Sequence, residues 1–137
     1  MRILLPEGWP RPSGYSNGIA VDAGRLVFIS GMVGWDSNNE FQSKNLVDQL
    51  RQVLMNTRSI MAEGGAGPEH MVRMTWYITD KQDYLSKLKE IGTTYRDVMG
   101  KNYPTMACVE VAGLIEDDAC IEIETTCVAC HLTPVVV

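Results

Sequence analysis

Residues 119–129 read ACIEIETTCVA, and in this stretch Ile121 and Ile123 alternate strictly with Glu122 and Glu124. Alternation with a period of two places the isoleucines on one face of a β-strand and the glutamates on the other. The stretch therefore predicts a strand of a sheet that has one face in the core. The other face is either solvated or covered by a second chain.

The rest of the chain predicts four more strands and two helices. Short apolar, β-branched or aromatic runs predict the strands, and those at 19–21 and 26–30 form a hairpin signal around Asp22–Arg25. Apolar residues that recur every three or four positions predict the helices, the first of which ends at the Gly64–Pro68 cluster. The predicted strands outside the hairpin are 71–79, 105–112 and 119–129, and the predicted helices begin near 43 and 81, the second ending at Met99.

The resulting element order is β-β-α-β-α-β-β, which predicts one α+β domain over residues 1–137. Residues 1–14, rich in Pro and Gly, are expected to form an extended arm, and residues 130–137 a tail. Two helices cover only one face of a sheet. We therefore expect an oligomer in which another copy of the chain covers the other face.

Composition and charge exclude several classes of function. The 137 residues carry a formal net charge of −5 and no basic cluster, so neither nucleic acid nor a membrane is an expected partner. No apolar run reaches the length of a signal peptide or of a membrane span, so we expect a cytoplasmic protein.

Residues 127–131 read CVACH, a spacing that occurs in haem attachment, redox dithiols and half zinc sites. Haem attachment requires export, a zinc site needs further ligands, and a redox dithiol is expected at a helix start. Cys108 and Cys120 do not form a second C-x-x-C. We therefore interpret CVACH as a chance juxtaposition, expect neither a metal nor a cofactor, and leave the role of Cys127, Cys130 and His131 open.

Motifs of the common hydrolases and nucleotide-binding proteins are absent, and the chain has only two histidines. Any chemistry must therefore use carboxylates, hydroxyls, backbone amides or bound water. Glu122 and Glu124 are the most suggestive acids. The alternative for both is a solvated strand face.

Three stretches resemble the Rid family of enamine and imine deaminases, also called YjgF-like or L-PSP proteins. They are GYSNGIAVDAGRLVFISGMVGWD (14–36), YPTMACVEVAGL (103–114) and IEIETTCVA (121–129), and the resemblance extends over about 14–128. It implies a chorismate-mutase-like α+β domain that forms a homotrimer with ligand clefts between subunits. It also implies hydrolysis of a carboxylate-bearing enamine or imine to a keto acid and ammonia.

The resemblance assigns roles to individual residues. By position, Glu122 matches the acid that holds the catalytic water, and Tyr15 matches a tyrosine that lines the cleft. Ser30 and Gly31 match a pair whose backbone faces the ligand. Cys108 matches a cysteine whose amide contacts the substrate carboxylate.

One departure from the family pattern concerns the substrate carboxylate. Met106 occupies the position of the arginine that pairs with this carboxylate, and Gly92 replaces a common asparagine. A methionine makes the site apolar and cannot pair with an anion. Small 2-imino acids are therefore disfavoured, and a conjugated substrate of the 2-aminomuconate type becomes a specific candidate. The candidate replacement cations are Arg11, Arg25, Arg73 and Arg96.

Two other functions remain open. A Rid-fold protein that has lost deamination with its arginine could act as a ligand-binding or accessory protein. A ribonuclease, which the L-PSP label suggests, is disfavoured by the acidic charge and the lack of a basic stripe.

Overall fold

The computed structural model describes residues 1–129, so the predicted tail 130–137 lies outside the described residues. Residues 1–129 form six strands, three α-helices and one 3-10 turn (Pro68–His70). The strands are β1 Arg2–Leu4, β2 Gly18–Ala20, β3 Arg25–Val33, β4 Met71–Ile78, β5 Thr105–Glu110 and β6 Ile121–Ala129. The helices are α1 Leu46–Glu63, α2 Lys81–Ser86 and α3 Leu88–Met99. The α+β class is confirmed.

The main sheet has the strand order β3-β6-β4-β5. β6 runs antiparallel to both of its neighbours, and β4 and β5 are parallel. The alternating stretch that predicted a half-buried strand therefore lies inside the sheet. Ile121 and Ile123 are completely buried, Glu122 is half-buried and Glu124 is exposed, which confirms the predicted alternation.

The predicted hairpin of 19–21 with 26–30 is wrong. β2 pairs with β1 in a separate two-stranded sheet, and β3 pairs with β6. The chain bends at Asp22 and Ala23, but each of the two strands pairs with a partner more distant in sequence. Arg2–Leu4, inside the predicted arm, supplies the strand that pairs with β2.

The predicted helix 81–99 is two helices separated at Lys87. Lys87 leaves helical geometry at φ −123°, and its N–H donates to the Tyr84 carbonyl to close α2. No Gly or Pro marks this break in the sequence. Gly100, at φ +67°, ends α3 as predicted, because a residue with a Cβ is strained in that conformation.

Helix α1 packs against β3 and β6, and α3 packs against α1. Asn45 caps α1, and its side chain accepts from the amides of Val47 and Asp48. Gln49, nearly fully buried, ties the loop before β6 to α1, since its amide donates to the Asp118 carbonyl and accepts from the Cys120 N–H. No helix in residues 1–129 is long and apolar enough to cross a bilayer.

The opposite face of the sheet carries large exposed side chains. Leu26 is 57% exposed and Phe28 is 72% exposed, both on β3. A single chain gains nothing by placing such side chains in water, so this face has the character of a surface that another chain covers. We call it the outer face.

Candidate active site

The residues that sequence analysis selected fall into three regions of one chain. Ser30, Gly31 and Glu122 lie on β3 and β6, at or near the outer face. Met106 and Cys108 lie on β5 and face the helices, because they are in register with the buried Met74 and Trp76. Tyr15 lies in the segment before β2.

A β-bulge shapes the first region. Ile29 pairs with Thr125 and Met32 with Ile123, so Ser30 and Gly31 together face the single residue Glu124. A bulge bends the strand and changes the direction of its side chains, and bulges are common beside active sites. Ser30 and Gly31 are both exposed here.

The carboxylate of Glu122 lies directly against Gly31. A Cβ on residue 31 would come within 2.9 Å of the Glu122 Cδ and 3.0 Å of its Oε2. The absence of a side chain at position 31 therefore leaves room for the carboxylate. The predicted water-holding acid and the predicted ligand-facing backbone are neighbours.

A tyrosine that sequence analysis did not select completes this region. The Tyr77 hydroxyl donates to Glu124 Oε1 at 2.8 Å. This hydrogen bond, then burial and the nearby charges of Glu124 and Glu122, raises the pKa of Tyr77. Tyr77 therefore keeps its proton at neutral pH and holds Glu124 in place. We call Ser30, Gly31, Tyr77, Glu122 and Glu124 the acid cluster.

Met106 lines a cavity of about 450 Å³ between the start of β5 and helix α3. We call it the edge cavity, since β5 is the edge strand of the sheet. Four aromatic side chains and two cations contribute to its walls, namely Trp76, Tyr84, Tyr95, Tyr103, Lys89 and Arg96. No carboxylate of residues 1–129 lines it.

Cys108 lies on β5 two residues after Met106, and its thiol and the Tyr84 hydroxyl influence each other. Burial raises the pKa of the Cys108 thiol, although the hydrogen bond with Tyr84 acts in the opposite direction. Burial, and then Cys108, raises the pKa of Tyr84 to about 12. Both groups are therefore neutral at physiological pH, and Cys108 is not an activated nucleophile.

Tyr15 is 41% exposed and lines a cavity of about 480 Å³ with Arg11, Lys101 and Tyr103, and this cavity adjoins the edge cavity at Tyr103. The adjacent Ser16 anchors this segment, because its N–H donates to the Pro104 carbonyl at 3.0 Å and its hydroxyl donates to the Tyr103 carbonyl. Tyr15 is thereby held near the start of β5. Within one chain, it shares no cavity with Glu122.

The four candidate cations have different surroundings. Arg25 is structural, since its guanidinium donates to the Gly64 carbonyl at 2.8 Å and 3.2 Å. Arg11 lies in the Tyr15 cavity, and Arg73 lines a shallow outer-face depression with Glu124. Arg96 alone of the four lines the edge cavity with Met106.

The CVACH motif is only partly described. Cys127 is completely buried on the helix-facing side of β6, where burial raises its pKa to about 11. Cys130 and His131 lie outside the described residues. In residues 1–129, no group of three or more His, Cys, Asp or Glu side chains could hold a metal ion.

Comparisons with known proteins agree on one family. The family model described as Endoribonuclease L-PSP matches residues 10–129. A RutC family protein of Pyrococcus horikoshii is 33% identical over 124 residues, covering 89% of this chain and 93% of that protein. TdcF of Escherichia coli K12, named as a candidate reactive intermediate deaminase, is 32% identical over 97 residues, covering 71% of this chain and 74% of TdcF.

Solved structures show the same relationship. The Rid-family protein YyfB of Yersinia pestis, described as of unknown function, superposes with a TM-score of 0.82 at 28% identity, covering 93% of this chain and 97% of that one. Escherichia coli TdcF, solved with bound serine, gives a TM-score of 0.66 at 30% identity, covering 95% of this chain and all of TdcF. The chain therefore belongs to the L-PSP family, which includes the Rid and RutC proteins.

Proposed function

We propose that this protein is a hydrolytic deaminase of small enamines or imines that carry a carboxylate. The observation that carries the proposal is the packing of the Glu122 carboxylate against Gly31 on a bulged strand. The carboxylate thus lies beside the exposed backbone of Ser30 and Gly31, where water can reach it. The names of relatives such as TdcF support the same reaction class.

The reaction needs one positioned acid and a binding pocket. A proton from solvent adds to the enamine carbon and produces an iminium ion, to which water adds while Glu122 accepts a proton from the water. The carbinolamine then breaks its C–N bond: Glu122 returns its proton to the leaving nitrogen, and the hydroxyl proton goes to solvent as the C=O bond forms. One water is consumed and one ammonia is released, which leaves the keto acid.

The binding pocket requires more than one copy of the chain. Glu122 is on β6 with its side chain toward the outer face, whereas Met106 is two strands away and faces the helices. We propose that the acid cluster of one subunit meets the edge cavity of the next in a homotrimer. The exposed Leu26 and Phe28 would then be covered at the interface.

The substrate that we propose is conjugated, of the 2-aminomuconate type. Met106 and the aromatic walls of the edge cavity favour a flat, unsaturated body over a compact polar one. This choice would also explain why the chain tolerates Met106 in place of the family arginine.

Ammonia release from 2-aminomuconate and from 2-aminoacrylate tests the proposal directly. We expect faster release than in buffer, with Glu122→Gln lowering the rate by about 10²- to 10⁴-fold. Glu63→Gln is the matched control, because it removes the same charge from an exposed glutamate at the end of α1, outside the acid cluster. If the wild type releases no ammonia above buffer, the deaminase proposal fails and a ligand-binding role becomes the better explanation.

The name of the family model suggests ribonuclease activity as an alternative. The net charge of −5 gives no electrostatic basis for holding RNA. Incubation of the purified protein with single-stranded RNA tests this alternative. Cleavage that Glu122→Gln abolishes would favour it over deamination.

A further inference from the structure

The edge cavity is lined by a cation, Arg96, and by Met106, the position at which the family resemblance implies an arginine. Arg96 and Met106 both line this cavity, and in residues 1–129 Arg96 forms no ion pair. The nearby Asp97 is engaged instead by Arg51, at 3.0 Å. Arg96 is exposed to solvent, so its guanidinium can pair with an anion that enters this cavity, which no carboxylate of residues 1–129 lines.

Gly92 allows this placement of Arg96. The two residues are one helical turn apart on α3, and a Cβ on residue 92 would lie 3.2 Å from Arg96 Nη1. Glycine inside a helix costs about 1 kcal/mol relative to alanine, so a reason for it is expected. Here the missing side chain lets the guanidinium fold over the helix backbone toward the cavity.

The rest of the cavity suits a flat ligand. The Tyr95 and Tyr103 rings stack with centroids 5.6 Å apart and planes at 15°, and Trp76 packs on Tyr95 at 6.1 Å. Trp76 is 3% exposed, and its Nε1 has no hydrogen-bond partner among the described residues. Flat aromatic walls and a cation at the rim together match a planar, conjugated carboxylate.

We propose that Arg96 binds the carboxylate of a planar conjugated acid in the edge cavity, in place of the arginine that Met106 replaces. In this arrangement, Gly92 and Met106 are linked departures from the family pattern. Gly92 has no side chain, so Arg96 can enter the cavity. Met106 stands where the family resemblance implies an arginine. The proposal rests on the proposed function, since the acid would be the substrate.

Benzoate and its neutral isostere benzamide are suitable probes, with affinities measured by titration of the full-length protein. We expect benzoate to bind, and Arg96→Met to weaken it by roughly 10- to 100-fold, the usual cost of losing a charged hydrogen bond. Benzamide affinity should change little. Lys44→Met is the matched control, because Lys44 is a surface cation outside the edge cavity.

A second variant moves the guanidinium without removing its charge. Gly92→Ala places a Cβ against Arg96 Nη1 and should weaken benzoate binding while helix content is retained. Equal benzoate affinity in the wild type and Arg96→Met, or no benzoate binding by the wild type, overturns the proposal.

The same titration separates this inference from the deaminase proposal. In a Glu122→Gln background, Arg96→Met should still weaken benzoate binding, because the guanidinium, and not Glu122, pairs with the benzoate carboxylate. Arg96-dependent benzoate binding without ammonia release supports the anion site and contradicts the deaminase. Ammonia release, together with benzoate binding that does not depend on Arg96, supports the deaminase and contradicts the anion site.

Discussion

The Glu122 carboxylate occupies the space beside Gly31 in which any other residue would place its Cβ. That Cβ would lie 2.9 Å from Glu122 Cδ, 3.0 Å from Oε2 and 3.1 Å from Cγ, all closer than ordinary contact allows. Gly31 lies in the bulge of β3. Glu122 lies on β6, two residues before Glu124, which faces that bulge. A side chain at residue 31 would therefore displace the Glu122 carboxylate, so position 31 is a probe of where that carboxylate lies.

Gly31→Ala should lower deaminase turnover by about 10-fold or more, because the new methyl group displaces the carboxylate by a fraction of an ångström. Gly113→Ala is the matched control, since a Cβ there meets nothing within 4 Å. The measurement is ammonia release at saturating substrate, with thermal unfolding to show that both variants are folded. Wild-type turnover in Gly31→Ala would contradict a role for this contact.

Met106→Arg should shift substrate preference toward small acids. The new guanidinium enters a cavity that already holds Arg96 and Lys89, so three cations compete for one carboxylate. We expect the ratio of 2-aminoacrylate to 2-aminomuconate turnover to rise about 10-fold, equivalent to about 1.4 kcal/mol.

Met106→Leu is the control for this experiment, because it conserves volume and adds no charge. Its turnover ratio should stay near that of the wild type. An unchanged ratio in a folded Met106→Arg variant would show that position 106 does not contact the substrate.

Much of the fold follows from local patterns, and the errors have physical causes. The strict alternation of 121–124 and the periodic residues of α1 locate elements whose faces are buried in the final core. The pairing of β2 with β1 could not be foreseen, because strand partners depend on contacts distant in sequence and the turn signal at Asp22–Arg25 is local. The break at Lys87 has no composition signal at all.

The site was predicted in part. The strand alternation points to Glu122 and the family resemblance to Gly31, but only the three-dimensional structure shows their contact. Arg96 was one of four equivalent cations in the sequence. Gly92, a glycine inside a predicted helix, was the available signal that something lies close to that turn.

Cys127 should make stability sensitive to alkaline pH. Burial, with the charge of Glu69, raises its pKa from 9.0 to about 11 in the folded state. Because the folded state holds the thiol proton more tightly, this stabilisation is complete below the unfolded pKa and is lost as pH rises from 9.0 toward about 11. The free energy of unfolding should fall in that window by at most about 1.4 kcal/mol per pH unit from this group.

Urea unfolding of the wild type and Cys127→Val at fixed chain concentration measures this contribution. The variant should lose less stability between about pH 9 and 10, while Cys120, whose pKa is also raised to about 11, still contributes a residual slope. Identical slopes in the two proteins would contradict the assignment to Cys127.

Phe28→Glu should dissociate the proposed homotrimer. Phe28 is 72% exposed on the outer face, and covering such a side chain in an interface is worth roughly 1.5–3 kcal/mol per chain. Glutamate at this position loses the free energy of burying the Phe28 ring. It also adds a negative charge to the face that carries Glu122 and Glu124. Light scattering coupled to size exclusion should give three times the chain mass for the wild type and one chain mass for the variant.

Phe28→Leu is the control, because it keeps an apolar side chain and should stay trimeric. If the acid cluster and edge cavity meet only between subunits, the monomeric Phe28→Glu variant should also lose ammonia release, although Glu122 and Gly31 are unchanged. A Phe28→Glu protein that remains trimeric would remove Phe28 from the interface. A monomer with full activity would show that one chain holds a complete site, because the reaction would then need no residue from a neighbour.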